Sequence, residues 1–348
     1  MATDFTIACP IPITDRKYIV LGHGSGGRLT AQLINDVFLP AFDNETLRKL
    51  DDQAVLNVGG ARIAFTTDSF VVTPLFFPGG DIGKLAVNGT VNDLAMSGAR
   101  PLYLSAAFIM EEGFSLEELS QVTQSMADAA RTAGVSIVTG DTKVVNKGSA
   151  DKLFITTSGV GLVPDGIEIS ATKARPGDVI ILSGTIGDHG MAVFSKREGL
   201  EFEGSILSDT VALYSLVEAM LAAGEIHCLR DPTRGGLATS LCEIAGASNV
   251  GVEIDAKAIP VREDVKAACE ILGLDAIFVA NEGKLVSFVA PSSADAVLTA
   301  MRNTKEGREA AIVGRAVAAH PRMVLMKTEV GGTRLVDLPF TEQLPRIC

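Results

Sequence analysis

Strands and helices arranged in irregular order, several strands adjacent and no steady strand–helix–strand alternation, predict an α+β protein rather than a doubly wound parallel sheet. Two further observations divide the chain. Its 348 residues exceed one ordinary core, and the turn residues Pro164-Asp165-Gly166 separate two runs of elements. The expected organisation is an arm over 1–17, an N-terminal domain over 18–165, a C-terminal domain over 166–328 and a flexible tail over 329–348.

Pro10 and Pro12 make the first segment an extended arm. Leu21–Gly27 is a glycine-rich loop before a helical stretch, Leu29–Phe38. Ala61–Thr67 alternates as a strand and delivers Asp68 at its end. Leu85–Ser97 reads as a helix ending near Gly98, and Leu102–Met110 as a strand. Ser115 and Glu118 form a capping box for a helix over Leu116–Ala133, closed by Gly134. Val135–Thr139 is a short strand running into a loop, Gly140-Asp141-Thr142-Lys143, and Leu153–Val163 is a long alternating strand.

The second unit opens with a strand over Asp178–Ser183 and a loop over Gly184–Gly190. A helix over Val211–Ala223 stops at Gly224, and Asp231-Pro232-Thr233-Arg234-Gly235-Gly236 introduces a helix over Leu237–Ala247. A helix over Val261–Leu272 follows, then strands over Ala276–Val279 and Leu285–Ala290. A helix over Ala294–Arg302 and strands over Ala311–Ala318 and Arg322–Met326 complete it. Beyond about residue 329 no partner pattern is evident.

Bulk properties narrow the function. A net charge of −12 argues against nucleic acid, because a phosphate backbone is bound mainly by clustered Lys and Arg. It leaves room for a nucleotide, with carboxylates gripping Mg²⁺ and backbone N–H groups gripping phosphate oxygens. No Walker sequence or GxGxxG fingerprint is present, so any nucleotide is held by another device. Apolar runs such as Val179–Leu182 are strand-sized, far short of the ~20 residues a membrane helix needs. Asp4 stands early and no basic segment precedes an apolar one, so the expected compartment is cytoplasmic. Five widely spaced cysteines without a CxxC pair speak against a disulfide framework or structural zinc. Cys242 and Cys269 fall in apolar helical patterns and read as core residues, whereas Cys9 and Cys228 have no such pattern.

Cys348 is different, because it ends the sequence. Chain ends are the least ordered part of most domains, so a terminal thiol is accessible and easy to load with a chemical group. Elsewhere, acidic residues recur after apolar strands or beside glycine: Asp51-Asp52, Asp68, Asn92-Asp93 and Gly140-Asp141. Singly each is a turn or cap residue; gathered at one rim they would form the hard oxygen shell that Mg²⁺ prefers. Gly140-Asp141-Thr142-Lys143 places a carboxylate, a hydroxyl and an ammonium together, as a metal ligand beside a cation or as a polar turn. Gly235 and Gly236 before a helix offer either an anion site or a plain N-terminal turn. His23, in Gly22-His23-Gly24-Ser25-Gly26-Gly27, is a proton carrier or a loop residue, and His189 a weaker candidate of the same kind. Glu282, in Asn281-Glu282-Gly283, faces a cleft or sits in a hairpin turn.

Gly89-Thr90-Val91-Asn92-Asp93-Leu94-Ala95-Met96-Ser97-Gly98-Ala99-Arg100-Pro101 closely resembles the signature of the aminoimidazole-ribonucleotide synthetase (PurM-like) group of ATP-using enzymes. Gly140–Lys143, Asp231–Gly236 and Asn281–Gly283 resemble its later motifs, and the likeness spans about residues 18–325. Within that group, the His-Gly-Ser-Gly-Gly loop and the terminal Pro345-Arg346-Ile347-Cys348 resemble the hydrogenase-maturation HypE family. The resemblance implies an N-terminal domain whose strands join a partner's in a homodimeric barrel, and a C-terminal domain that completes an ATP cleft. It implies dehydration of a carbamoyl group carried on Cys348: a HypF-type carbamoyltransferase loads an S-carboxamide, ATP converts it to a thiocyanate, and the cyanide passes to iron on a HypC–HypD scaffold.

The chemistry has a plain logic. An amide loses water only if its oxygen becomes a good leaving group; phosphorylation by ATP does this, and a base then strips the N–H to leave a nitrile. On the implied roles, Asp51, Asp68, Asp93 and Asp141 hold Mg²⁺ and the phosphates. Asn92, Gly140, Thr142, Arg234, Gly235 and Gly236 help bind the nucleotide. Lys143 orients the carboxamide oxygen, and Glu282 or His23 is the base. Selenophosphate synthetase, a relative, carries its reactive Cys or selenocysteine in the N-terminal glycine-rich region, where this chain has His23 and Ser25. Thiamine-monophosphate kinase, another relative, would give a terminal thiol no role; a rival of a different class is a non-catalytic scaffold that uses an acidic surface and the tail only to bind partners.

Overall fold

The computed structural model describes residues 18–200, 206–340, 344 and 346–348; the arm over 1–17, with Cys9, lies outside the described residues. The chain opens on a glycine-rich turn and a helix, Arg28–Leu33 (α1), which runs on through a π-helical stretch, Ile34–Phe38, into Leu39–Phe42 (α2). Ala54–Val58 (β1) and Ala61–Phe70 (β2) form a hairpin, followed by a miniature one, Phe76–Phe77 (β3) with Gly80–Asp81 (β4). Then come Ile82–Ala95 (α3), Arg100–Glu111 (β5), Leu116–Ala133 (α4), Ser136–Val145 (β6) and Leu153–Leu162 (β7). The sheet order is β1-β2-β7-β5-β6, antiparallel except for the parallel pair β5–β6.

The second half holds Val179–Leu182 (β8), Asp188–Glu198 (α5), Tyr214–Ala223 (α6), Ile226–Arg230 (β9), Gly236–Ser248 (α7) and Gly251–Asp255 (β10). It continues through Glu263–Leu272 (α8), Val286–Val289 (β11), Ala294–Arg302 (α9), Ala311–Val317 (β12), Val324–Lys327 (β13) and Thr333–Val336 (β14). These strands make a seven-stranded sheet ordered β14-β13-β10-β12-β8-β11-β9, in which only β10–β13 is parallel. The architecture is a mixed α/β fold of two large sheets, with the small β3–β4 ribbon beside them.

α3 ties the halves together. It is apolar or small on nearly every side and correspondingly buried, as an all-round hydrophobic helix must be. Its start is set by Asp81, whose Oδ1 accepts from the Gly83 and Lys84 N–H groups at 2.8 and 3.1 Å, three residues before the start expected from periodicity alone. Asn92, one turn from its end, donates to the Val211 and Glu282 carbonyls at 3.0 and 3.3 Å and accepts from the Leu213 N–H at 2.8 Å. One amide thereby satisfies three backbone groups of the other half. α4 has the expected bounds, with Ser115 accepting from the Glu117 and Glu118 N–H groups and Gly134 in the left-handed region at φ 71°.

Four expectations are corrected. Gly140–Lys143 is not a loop: it pairs with Ala106–Ile109 inside β6, an edge strand that stays exposed. Ala276–Val279 is not a strand, because Asp275 accepts from the Ile277 N–H and closes a 3-10 turn over Ala276–Phe278. The end of Gly184–Gly190 is not loop, since α5 begins at Asp188. The tail is not without a partner pattern: Thr333–Val336 pairs antiparallel with β13, and Leu344 and Ile347 are buried in the core cluster with α5 and α8 residues.

Candidate active site

A cavity of about 300 Å³ is lined by Asp52, Asp68, Asp93, Asp231, Arg234, Glu282 and the last residue, Cys348. They arrive from several pieces of the fold. β2 carries Thr66 and Asp68, α3 carries Asp93, the turn after β9 carries Asp231 and Arg234, and the segment before β11 carries Glu282. Thr66 Oγ1 lies 2.8 Å from Asp93 Oδ2 and 2.9 Å from the Asp52 carbonyl, so one hydroxyl sets both acids relative to β2. Asp52, Asp93 and Asp231 bring one oxygen each to within 4.8 Å of one another.

Charge in this cavity is unbalanced. Six acidic side chains, Glu243 among them, face two guanidiniums, Arg230 and Arg234. Arg230 Nε pairs with Asp52 at 3.0 Å and its NH2 with Glu243 at 2.7 Å. Burial, the largest cause, pushes Asp52, Asp93 and Glu282 well above the usual carboxylate range and Asp231 up to about 6. Neighbouring acids add to the rise: Asp68 acts on Asp93, and Asp231 on Glu282. Arg234 is held more firmly protonated, first by Cys348 and then by Asp68 and Glu282, against the effect of burial. Buried like charges this close call for a cation, and three convergent carboxylate oxygens suit a hard divalent one. The Thr239 hydroxyl, which also lines the cavity, is buried without a hydrogen-bond partner.

The described residues of the tail are held at several points. Arg28 ion-pairs with Asp337, and its N–H donates to the Pro339 carbonyl at 3.0 Å. The last residues then lie along the segment after β2: the Thr73 N–H donates to the Arg346 carbonyl at 3.2 Å and the Val71 N–H to Cys348 O at 3.1 Å. Arg346 pairs with Asp151 at 2.5 Å. On the other side, His189 Nε2 lies 2.7 Å from the Ile347 carbonyl. Among the described cysteines, burial pushes the thiols of Cys228 and Cys242 up to about 12 and that of Cys269 up to about 11. Those three are poor nucleophiles.

Of the sequence candidates, the structure brings Asp68, Asp93, Arg234, Glu282 and Cys348 together. Asp51 points elsewhere: its carboxylate accepts from Ser170 Oγ and the Ala171 N–H, both at 2.8 Å, and clasps the two halves. His23 Nδ1 accepts from the Val20 N–H at 3.0 Å and caps its own turn. Asn92 is spent on backbone. The space where Gly235 and Gly236 would carry Cβ atoms is filled by Thr239 and by the Ile277–Val279 backbone, so these glycines serve close packing at φ +76° and +63°. Asp141 and Lys143 pair with each other at 2.7 Å on exposed β6, outside this cavity, as are Gly140 and Thr142. The metal-shaped trio instead uses Asp52, the second acid of the Asp51-Asp52 pair, and Asp231, the first residue of the Asp-Pro-Thr-Arg-Gly-Gly turn. Arg230 and Thr239 carried no motif signal.

Residues 50–163 match the family model described as AIR synthase related protein, N-terminal domain, and residues 175–325 match its C-terminal domain. The chain is 57% identical over 332 residues to the carbamoyl dehydratase HypE of Rhizobium leguminosarum bv. viciae, covering 95% of each. It is similar to a solved structure described as a HypE–HypF complex, with a TM-score of 0.85 and 52% identity, covering 88% of this chain and 99% of that one. A structure described as HypE in complex with ATP aligns with a TM-score of 0.81 at 49% identity, covering 95% and 100%.

Proposed function

The chain belongs to the HypE carbamoyl dehydratase family within the AIR synthase related proteins, and from that premise we propose that its own terminal thiol, Cys348, is the carrier on which it works. The protein is an ATP-dependent carbamoyl dehydratase. An S-carboxamide on the sulfur is phosphorylated on its oxygen by ATP. Expulsion of that oxygen as inorganic phosphate, with loss of the remaining N–H proton, leaves S–C≡N and ADP. The thiocyanate supplies the cyanide ligand of nickel–iron hydrogenase. One observation carries the assignment: Cys348 lines the same cavity as the acid cluster, Arg234 and Glu282.

The residues divide the work. Asp52, Asp93 and Asp231, with Asp68 beside them, would hold Mg²⁺, which when bound offsets polyphosphate charge. Arg234, which lines the same cavity as Cys348, stabilises negative charge on the transferring group. The Glu282 carboxylate takes the proton from the carboxamide nitrogen; burial makes it a strong base once cations hold it ionised. Its position is fixed through the backbone, where the Glu282 N–H donates to Asp209 Oδ1 at 3.0 Å and its carbonyl accepts from Asn92.

A homodimer fits the exposed apolar residues of the first sheet, including Tyr103, Ile109, Val138 and Val144. In that arrangement Asp141 and Lys143 of β6 serve the cleft of a second copy. A HypF-type carbamoyltransferase loads the thiol and a HypC–HypD scaffold takes the cyanide; the similar structure described as a HypE–HypF complex supports the first of these partners. Intact mass spectrometry tests the whole cycle. A carboxamide gained on the C-terminal peptide and one water lost on adding ATP are expected. Unchanged ATP turnover with carbamoyl-loading components in Cys348→Ala would end the carrier assignment.

A further inference from the structure

We propose that His189 is the positioning residue that seats Cys348 in the cleft, by donating its Nε2–H to the Ile347 carbonyl of the docked tail. This rests on the reading of Cys348 as carrier, but its geometry is independent of that reading. In an extended chain successive carbonyls point to opposite sides. The Arg346 carbonyl and Cys348 O turn toward the Val71–Thr73 segment and accept from its N–H groups. The Ile347 carbonyl therefore turns the other way, into an interior where Ile347 itself is 2% exposed. A carbonyl buried there without a donor would oppose docking, and His189 Nε2, at 2.7 Å, is the donor that meets it.

The ring is prepared for this task. His189 is wholly buried and packs edge-on against Phe77, with ring centroids 5.5 Å apart. A carbonyl can only accept, so Nε2 carries the hydrogen. Nδ1 must then accept from the Ser208 hydroxyl at 2.8 Å, whose oxygen in turn accepts from the Thr210 N–H at 3.2 Å. In the neutral ring these partners allow one tautomer, Nε2–H, and burial, which lowers the ring's pKa, favours the neutral form. The ring sits near the start of α5, where Gly190 admits no side chain because a Cβ would lie 2.5 Å from Val279 and close to Leu344 of the tail. The proton never has to leave His189; the bond holds the tail and opens when the tail departs.

The test reads tail residence directly, without catalysis. Alkylation of Cys348, followed on the C-terminal peptide by mass spectrometry, is compared in wild type, His189→Phe and His189→Gln. Phe keeps the ring against Phe77 and removes the donor; Gln restores an N–H. His189→Phe is expected to raise the alkylation rate about tenfold, equivalent to about 1.4 kcal/mol of docking, with His189→Gln between it and wild type. ATP-dependent water loss from carbamoyl-loaded protein should slow in His189→Phe at unchanged KM for ATP, while loading by the carbamoyltransferase does not slow. Equal alkylation rates in a folded His189→Phe protein would overturn the proposal. If that variant does not fold, nitrogen-15 spectra of histidine in the wild-type chain decide: an Nε2–H tautomer supports the latch and an Nδ1–H tautomer refutes it. Faster alkylation in His189→Phe together with unchanged ATP turnover in Cys348→Ala would leave the latch standing and sink the carrier reading instead.

Discussion

Glu282 combines deep burial with neighbouring Asp209 and Asp231, so its carboxylate is strained in the resting cavity and useful once cations arrive. Glu282→Gln should therefore lower single-turnover dehydration by about 10²–10⁴-fold, the usual worth of a positioned base. The same change should raise the melting temperature, because it removes a buried carboxyl that burial and neighbouring acids disfavour in its ionised form; a fall in both would argue for a merely structural residue. Asp188 gives a separate signal. Burial, opposed by a bond from Thr185, raises its pKa from the ordinary 3.8 to about 6. A raised carboxyl means the folded state binds more protons than the unfolded one between those values, so its contribution to stability declines as pH rises from about 4 to about 6. Relative to Asp188→Asn, the wild type should lose up to about 3 kcal/mol across that window, measurable as diverging urea midpoints. At this scale the sequence singled out Asp68, Asp93 and Cys348 by residue type and place alone, and all three line the one cavity. It misassigned the Asp51-Asp52 pair, because adjacent acids look alike until Ser170 and Ala171, over a hundred residues away, claim one of them.

Among the elements, those governed by local chemistry were legible: the capped α4 and the alternating β2 and β7. β9 and β10 were missed because each is short and buried along most of its length, leaving no alternation to read. β14 was missed because its pairing depends on β13 rather than on its own pattern. The glycine loop near the start gains meaning only beside the tail. A Cβ on Gly27 would meet the Pro339 carbonyl at 2.4 Å, whereas one on Gly24 would meet nothing within 4 Å. Gly27→Ala should thus push the tail outward and cost about 1–3 kcal/mol, seen as faster hydrogen exchange over residues 337–340, while Gly24→Ala leaves exchange unchanged.

For the whole molecule, the test is complementation. In the proposed dimer a cleft uses its own Cys348 and the other copy's Lys143. Mixing Lys143→Ala with Cys348→Ala chains should restore about a quarter of wild-type dehydration, since half the dimers are mixed and each holds one complete cleft. If both residues act from the same chain, the mixture stays inactive. The pinning of the tail at β14 sets a further bound. From Val336, held against β13, about 12 residues at ~3.3 Å each give a leash of about 40 Å. On the proposed carrier role, a protein that charges or discharges the sulfur docks inside that radius. Cargo carried on so short a tether stays at high effective concentration near the cleft.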